Sequence, residues 1–126
     1  MDKLGVEEVE ALLEEIVASK PDGYKYEQHD GVMADGGYYP TCTYFWKGCA
    51  DCIIGHLLAR LGFGPEDIGY GRIVEVCERG KAEAYRPAIA ARFTAEAVVF
   101  MQRVQTEQDR DATWRNALNT AKEEMK

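Results

Sequence analysis

The fold is decided by residues 39–62, which read YPTCTYFWKGCADCIIGHLLARLG. Residues 41–46 are β-branched or aromatic apart from Cys42, a composition typical of a half-buried strand. Gly48 can end that strand, since glycine reaches backbone angles that other residues avoid. The apolar residues that follow recur at helical spacing: Ile53, Ile54, Leu57, Leu58 and Leu61. The stretch therefore predicts a strand that leads through a short turn into a helix.

Three residues set the expected ends and packing of this helix. Asp51 is placed to be its N-cap, because a carboxylate there accepts hydrogen bonds from the free N–H groups of the first turn. Gly62 suits the left-handed residue that follows a helix. Gly55 lies in the interior, where glycine costs about 1 kcal/mol relative to alanine. We interpret Gly55 as a point where another backbone, that of Thr41–Trp46, packs closely.

Length, charge and cysteine content bound the class of protein. The chain has 126 residues and a net charge of -7. That length predicts a single domain, residues 1–126, with frayed ends at 1–5 and 122–126. The negative charge argues against nucleic acid as a partner. There is no apolar run of the roughly 18 residues that a membrane span needs, and no apolar leader. Four cysteines without a leader predict thiols in a reducing cytosol: Cys42, Cys49, Cys52 and Cys77.

Apolar periodicity predicts further helices on both sides of the central stretch. Arg72–Glu78 is ambiguous between helix and strand, and we favour helix. Pro87 precedes a short helix, and Thr94 is a suitable N-cap for the helix after it. Asp111 is expected to cap the last helix. The expected helices are Val6–Ser19, Arg72–Glu78, Ala88–Arg92, Ala95–Gln108 and Ala112–Lys122.

A small aromatic ribbon completes the expected fold. Tyr24–Gln28 alternates aromatic and polar residues, which indicates a strand. We expect it to pair with Thr41–Trp46 as an antiparallel ribbon that lies on the helices, because an isolated two-stranded ribbon is marginal. The predicted class is α+β, mainly helical, with four to five helices and this one ribbon.

Aromatic residues concentrate around the predicted ribbon. One face of a ribbon can pack on the helices while the other presents aromatic side chains to a partner, and tyrosine and tryptophan are enriched at interfaces. The alternative is that the rings cover the core and only their polar tips reach water. The candidate binding surface consists of Tyr24, Tyr26, Tyr39, Tyr44 and Trp46.

Two chemical alternatives involve the cysteines. Cys42, Cys49, Cys52 and His56 have a spacing that would allow a tetrahedral Cys3His zinc site. Otherwise zinc is absent, and the cysteines are small buried apolar residues. Alternatively, Cys52 at a helix N-terminus would have a lowered pKa, with His56 one turn later as its base. That pair would make the protein a cysteine-dependent enzyme.

Polar residues also cluster near the end of the chain. Gln105, Gln108, Asp109 and Trp114 would meet at the corner between the last two helices. They are either a polar surface patch or a brace that holds the corner through hydrogen bonds.

Three sequence blocks resemble a group of small uncharacterised proteins from phages of actinobacteria and from their hosts. The first is Tyr39-x-x-Cys42-x-Tyr44. The second is Gly48-x-x-x-Cys52-x-x-Gly55-x-x-Leu58-x-x-Leu61-Gly62, and the third is Gln105-x-x-Gln108-Asp109-x-x-x-Thr113-Trp114-x-x-Ala117-Leu118. The group often has glycine where this chain has Asp111, and it lacks a match for Cys49. The resemblance implies no catalytic residue. It implies a phage accessory protein that acts in the cytoplasm of a bacterial host cell.

The sequence thus favours a non-catalytic protein-binding module without a cofactor, whose partner is a host protein or a second copy of itself. The zinc-stabilised domain and the enzyme that uses Cys52 and His56 are the alternatives.

Overall fold

The protein is mainly helical. The structure is a computed structural model that describes residues 3–26, 31–32, 38–39, 44–46, 49–68, 72–80, 84–110 and 112–125. None of the helices in these ranges is both long and apolar enough to pass through a bilayer. The α-helices of the described chain are α1 (Val6–Ala18), α2 (Ile53–Arg60), α3 (Ile73–Cys77), α4 (Pro87–Ala90), α5 (Ala95–Asp109) and α6 (Trp114–Glu124), with a 3-10 turn at Pro65–Asp67.

The predicted aromatic ribbon is wrong, and with it the α+β class. Within the described ranges, β structure is limited to two isolated bridges and two antiparallel pairs of two-residue strands: β1 (Gly31–Val32) with β2 (Tyr38–Tyr39), and β3 (Phe45–Trp46) with β4 (Cys49–Ala50). Lys25, from the expected first strand, bridges Thr113 next to α6 instead. The rest of the expected ribbon, residues 27–28 and 41–43, lies outside the described residues. The alternation at residues 24–26 instead places Tyr24 against Trp114 at the start of α6 and Tyr26 against Asp51 before α2.

Helix α5 is the centre of the packing. It contacts α1, α2, α3 and α6. Its inward face buries Phe100, Met101 and Val104 completely. Burying one such side chain contributes about 1.5–3 kcal/mol, so this face supplies much of the stability of the fold. The same hydrophobic core includes Val9, Leu13 and Ile16 of α1, Ile53, Leu57 and Leu58 of α2, Ile73 of α3, and Trp114, Leu118 and Ala121 of α6.

Most helix bounds follow from the sequence signals. Helix α2 ends at Arg60 and is followed by Gly62 in the left-handed conformation (φ 94°). The Phe63 N–H donates back to the Leu58 carbonyl, as in a glycine-terminated helix. Thr94 caps α5 through its hydroxyl, and α3 confirms the helical interpretation of residues 72–78. The start of α6 is corrected. Its N-cap is Thr113, whose hydroxyl accepts from Asn116 N–H, while Asp111 lies outside the described residues.

The first described residues are hydrogen-bonded to the segment between α4 and α5, and the fraying of residues 1–5 and 122–126 stays a prediction. Leu4 N–H donates to the Arg92 carbonyl at 2.7 Å, and Thr94 N–H donates to the Leu4 carbonyl at 2.9 Å. At the other end, α6 continues to Glu124, and Lys122 bonds Glu14 of α1 at 3.0 Å. Both ends of the described chain are therefore tied to neighbouring elements.

Candidate functional site

Three glutamines of α5 hold the start of two other helices. Gln102, Gln105 and Gln108 are three residues apart, so they follow one another along one side of α5. Their amide oxygens accept from backbone N–H groups in the first turn of α2 or α3. These N–H groups have no partner inside their own helix. The glutamines therefore bond N–H groups at the very start of these helices, in addition to any local cap. We call this set the glutamine row.

Gln105 connects three elements. Its oxygen accepts from Ile73 N–H at the first position of α3 at 3.0 Å, and its amide nitrogen donates to the Tyr44 hydroxyl at 3.0 Å. Gln105 is only 2% exposed, and Tyr44 is also buried. Because an unpaired buried polar group costs about 1–3 kcal/mol, each partner in this chain of bonds needs the others.

Gln108 makes the equivalent connection to α2. Its oxygen accepts from Ile53 N–H at 2.9 Å, and its amide nitrogen donates to an oxygen of Asp109 at 3.1 Å. Gln102 is less buried and makes a longer bond, 3.3 Å, to Val74 N–H. The glutamine row is thus strongest where it is most buried.

Asp109 is the carboxylate of this cluster. It is half-buried at the last position of α5. Burial raises the pKa of Asp109 to about 6, against the opposing effects of the Gln108 hydrogen bond and the Arg72 charge. Desolvation dominates because a charged carboxylate loses more hydration than these two partners restore. Asp109 therefore changes its charge near neutral pH, which an ordinary aspartate does not.

Gly55 is the point where the segment before β3 meets α2. A Cβ atom built on Gly55 would lie 2.0 Å from the Tyr44 carbonyl oxygen and 2.9 Å from the Tyr44 Cα. The same carbonyl oxygen accepts from Asp51 N–H at 2.9 Å. This confirms the close backbone approach that the interior glycine predicts. Tyr44 thus contacts α2 through its backbone and α5 through its hydroxyl.

The start of α2 differs from the prediction. Cys52 is the N-cap, with its sulfur 3.4 Å from Gly55 N–H. Asp51, the predicted cap, instead accepts from the Tyr26 hydroxyl at 2.8 Å. The carboxylate therefore holds the segment after α1 rather than the helix N-terminus.

Cys52 and His56 have different environments. Cys52 is completely buried, whereas His56 is half-buried and its ring meets that of Trp114 edge to face at 5.4 Å. Burial, followed by the charge of Lys20, lowers the pKa of His56 below its usual 6.5. Cys77 is half-buried, and burial raises its pKa to about 11. Whether Cys52 and His56 act as a catalytic pair stays a prediction.

Trp114 organises the aromatic contacts near the end of α1. Its ring meets Tyr24 edge to face at 4.7 Å, and the Lys20 ammonium lies 5.0 Å from the Tyr24 ring centre and 5.7 Å from that of Trp114. Among the residues that the structure describes, none accepts a hydrogen bond from the buried indole N–H of Trp114. Trp114 is 1% exposed, so it belongs to the core and not to a polar patch.

The predicted aromatic surface is divided by burial. Tyr26 and Tyr44 are buried, and their hydroxyl groups bond Asp51 and Gln105 inside the molecule. These two side chains therefore lie in the core, and the aromatic binding surface as a whole stays a prediction. Tyr24 is partly exposed beside Trp114. The side chains of Tyr39 and Trp46 lie outside the described part of the structure.

The zinc alternative concerns residues that are only partly described. Cys42 and the side chain of Cys49 lie outside the described residues, while Cys52 and His56 belong to α2 and its cap. Among the side chains that the structure describes, no three histidine, cysteine or acidic residues are grouped so as to hold a metal ion. The zinc site stays a prediction.

The arrangement is suited to holding helices, and part of it was accessible from the sequence. Gln108 and Asp109 are hydrogen-bonded to each other, while Gln105 and Gln108 bond the starts of α3 and α2. Gln102 and Arg72 were missed. The regular spacing of the three glutamines on one side of a predicted helix was the signal that could have revealed the row.

No protein-family model, no curated protein and no solved structure matches this chain.

Proposed function

We propose that this chain is a small non-catalytic protein-binding module, an accessory factor of phage type whose partner is a protein of the bacterial host cell. The observation that carries the proposal is the internal use of the polar cluster. Gln105 and Gln108 are 2% exposed and bond backbone groups of α2 and α3. Polar groups that hold a fold together support a scaffold more than a reaction centre.

Charge and aromatic residues indicate how the module would bind. The net charge of -7 favours a partner with basic groups. Tyr24 is partly exposed, and its ring packs edge to face on Trp114. We infer that Tyr24 contributes to the binding surface together with Tyr39 and Trp46. Rigid aromatic side chains are effective there because they lose little entropy on binding.

The test is affinity capture with matched variants. Immobilised wild-type protein, Tyr24→Ala/Trp46→Ala and the control Val99→Ala are exposed to an actinobacterial lysate. Val99 is an exposed apolar residue of α5, so it controls for non-specific retention. We expect one host protein to be retained by wild type and Val99→Ala and lost by the double variant. The interaction is then measured with both proteins purified.

Thermal melting first establishes that each variant is folded, because Tyr24 also packs on Trp114. Retention of the same proteins by all three baits would contradict the aromatic surface. Two results together would favour the enzyme alternative over the binding module. They are the absence of any specific binder and a turnover of a lysate component that is lost when Cys52 is substituted.

A further inference from the structure

Gln108 connects the titratable carboxylate of Asp109 to the start of α2. The Gln108 amide donates to an Asp109 oxygen at 3.1 Å and accepts from Ile53 N–H at 2.9 Å. Gln108 is 2% exposed. One amide group therefore makes both bonds and links the Asp109 carboxylate to the first N–H of α2.

The charge state of the carboxylate decides the strength of the first bond. An ionised carboxylate accepts a charge-assisted hydrogen bond, which is roughly twice as strong as a neutral one. Polarisation along a chain of hydrogen bonds then strengthens the next bond. Proton uptake by Asp109 therefore weakens the Gln108 contact and, through it, the Ile53 contact.

Two opposing influences act on the ionisation of Asp109. The charge of Arg72, the N-cap of α3, acts on Asp109. It favours the ionised form. From α2, the facing group is the Ile53 N–H, which is reached through Gln108. Asp51, just before α2, is bonded to Tyr26. Burial opposes ionisation and brings the pKa of Asp109 to about 6.

We propose that Asp109 is a proton-sensitive latch: its ionised carboxylate tightens the Gln108 bridge to the start of α2, and protonation loosens that bridge. The latch is independent of the proposed binding function, and it makes the α2–α5 contact responsive to mild acidification.

The experiment is a two-dimensional amide NMR titration of the full chain from pH 8 to pH 4. We expect the Ile53 amide proton to move upfield as the pH falls, in one step with a midpoint of about 6. Asp109→Asn should abolish this step. Glu66→Gln, which changes an exposed carboxylate of the 3-10 turn, should keep it.

Two further variants make every outcome decisive. The histidines titrate in an overlapping range, so the step must persist in His29→Asn/His56→Asn. Arg72→Gln removes the charge that favours ionisation, so it should move the midpoint upward even if Asp109→Asn does not fold. The latch is overturned if Ile53 shows no step, if the step survives Asp109→Asn or disappears in the double histidine variant, or if Arg72→Gln leaves the midpoint unchanged.

Discussion

Gly55 leaves no room for a side chain, because a Cβ there would lie 2.0 Å from the Tyr44 carbonyl oxygen. Alanine is a better helix former by about 1 kcal/mol. The clash with backbone nevertheless outweighs that gain, since overpacking costs typically about 1–3 kcal/mol and more where backbone must move. We expect Gly55→Ala to lower the free energy of unfolding by about 2–3 kcal/mol, measured by urea denaturation.

Gly80→Ala is the matched control for Gly55→Ala. No atom of the described part of the chain lies within 4 Å of a Cβ built on Gly80, and the backbone there is not left-handed. We expect its unfolding midpoint to stay close to that of the wild type. A wild-type midpoint for Gly55→Ala would mean that Tyr44 and α2 are farther apart than described.

Asp109 gives a second prediction at this scale, in the pH dependence of stability. The pKa of Asp109 is about 6 in the folded protein and near the ordinary 3.8 in the unfolded chain, so the folded state binds the proton more tightly. The stabilisation from this proton is fully present below pH 4 and is lost as the pH rises through 6. The Asn side chain does not titrate, so it does not lose this stabilisation. We therefore expect the difference in unfolding free energy between the two proteins to shift in favour of Asp109→Asn as the pH rises from 4 to 7, as measured by denaturation at each pH. A difference that is constant over this range would contradict the prediction.

These two residues show what single positions reveal. Gly55 was interpretable from sequence because a glycine inside an apolar helix needs a steric reason. The pKa of Asp109 was not, because it depends on burial by elements distant in the chain. The N-cap of α2 was predicted one position too early, at Asp51, because aspartate is intrinsically a better N-cap than cysteine. In the structure the Asp51 carboxylate bonds Tyr26, and Cys52 is the N-cap.

Among the elements, α5 stabilises α2 and α3 through the glutamine row. Gln108→Met keeps the approximate volume of the side chain but removes the acceptor for Ile53 N–H. A buried donor left unsatisfied costs about 1–3 kcal/mol. We expect Gln108→Met to be destabilised by that amount in chemical denaturation.

Gln102→Met tests the same substitution at a less buried position, where the bond to Val74 N–H is 3.3 Å long. Its loss should be smaller, since water can reach the freed group. Equal losses for the two variants would show that burial does not determine the strength of the row.

The prediction of elements succeeded where periodicity is local and failed where pairing is distant. The helices at Val6–Ala18 and Ala95–Asp109 were evident from their apolar spacing and caps. The aromatic ribbon was wrong because Tyr24 and Tyr26 alternate in order to meet Trp114 and Asp51, not a second strand. Alternation indicates that every second residue is buried, but it does not identify the element that buries it.

At the scale of the whole molecule, net charge opposes self-association. Two copies that each carry a charge of -7 repel one another most strongly at low ionic strength. We expect sedimentation velocity in low-salt buffer to give a monomer. A dimer under those conditions would make a second copy, rather than a host protein, the first partner to investigate.

The glutamine row also bears on how the protein opens. The first backbone amides of a helix ordinarily exchange with solvent deuterium faster than those in its interior, since helix ends fray. Here Ile53 and Ile73 amides are bonded to buried side chains of α5. They should be released only when α5 itself separates, so their exchange should be as slow as that of the Val104 amide. Fast exchange at Ile53 and Ile73 would contradict this coupling. If the coupling holds, α2, α3 and α5 form one cooperative unfolding unit, whose size is set by two glutamine side chains.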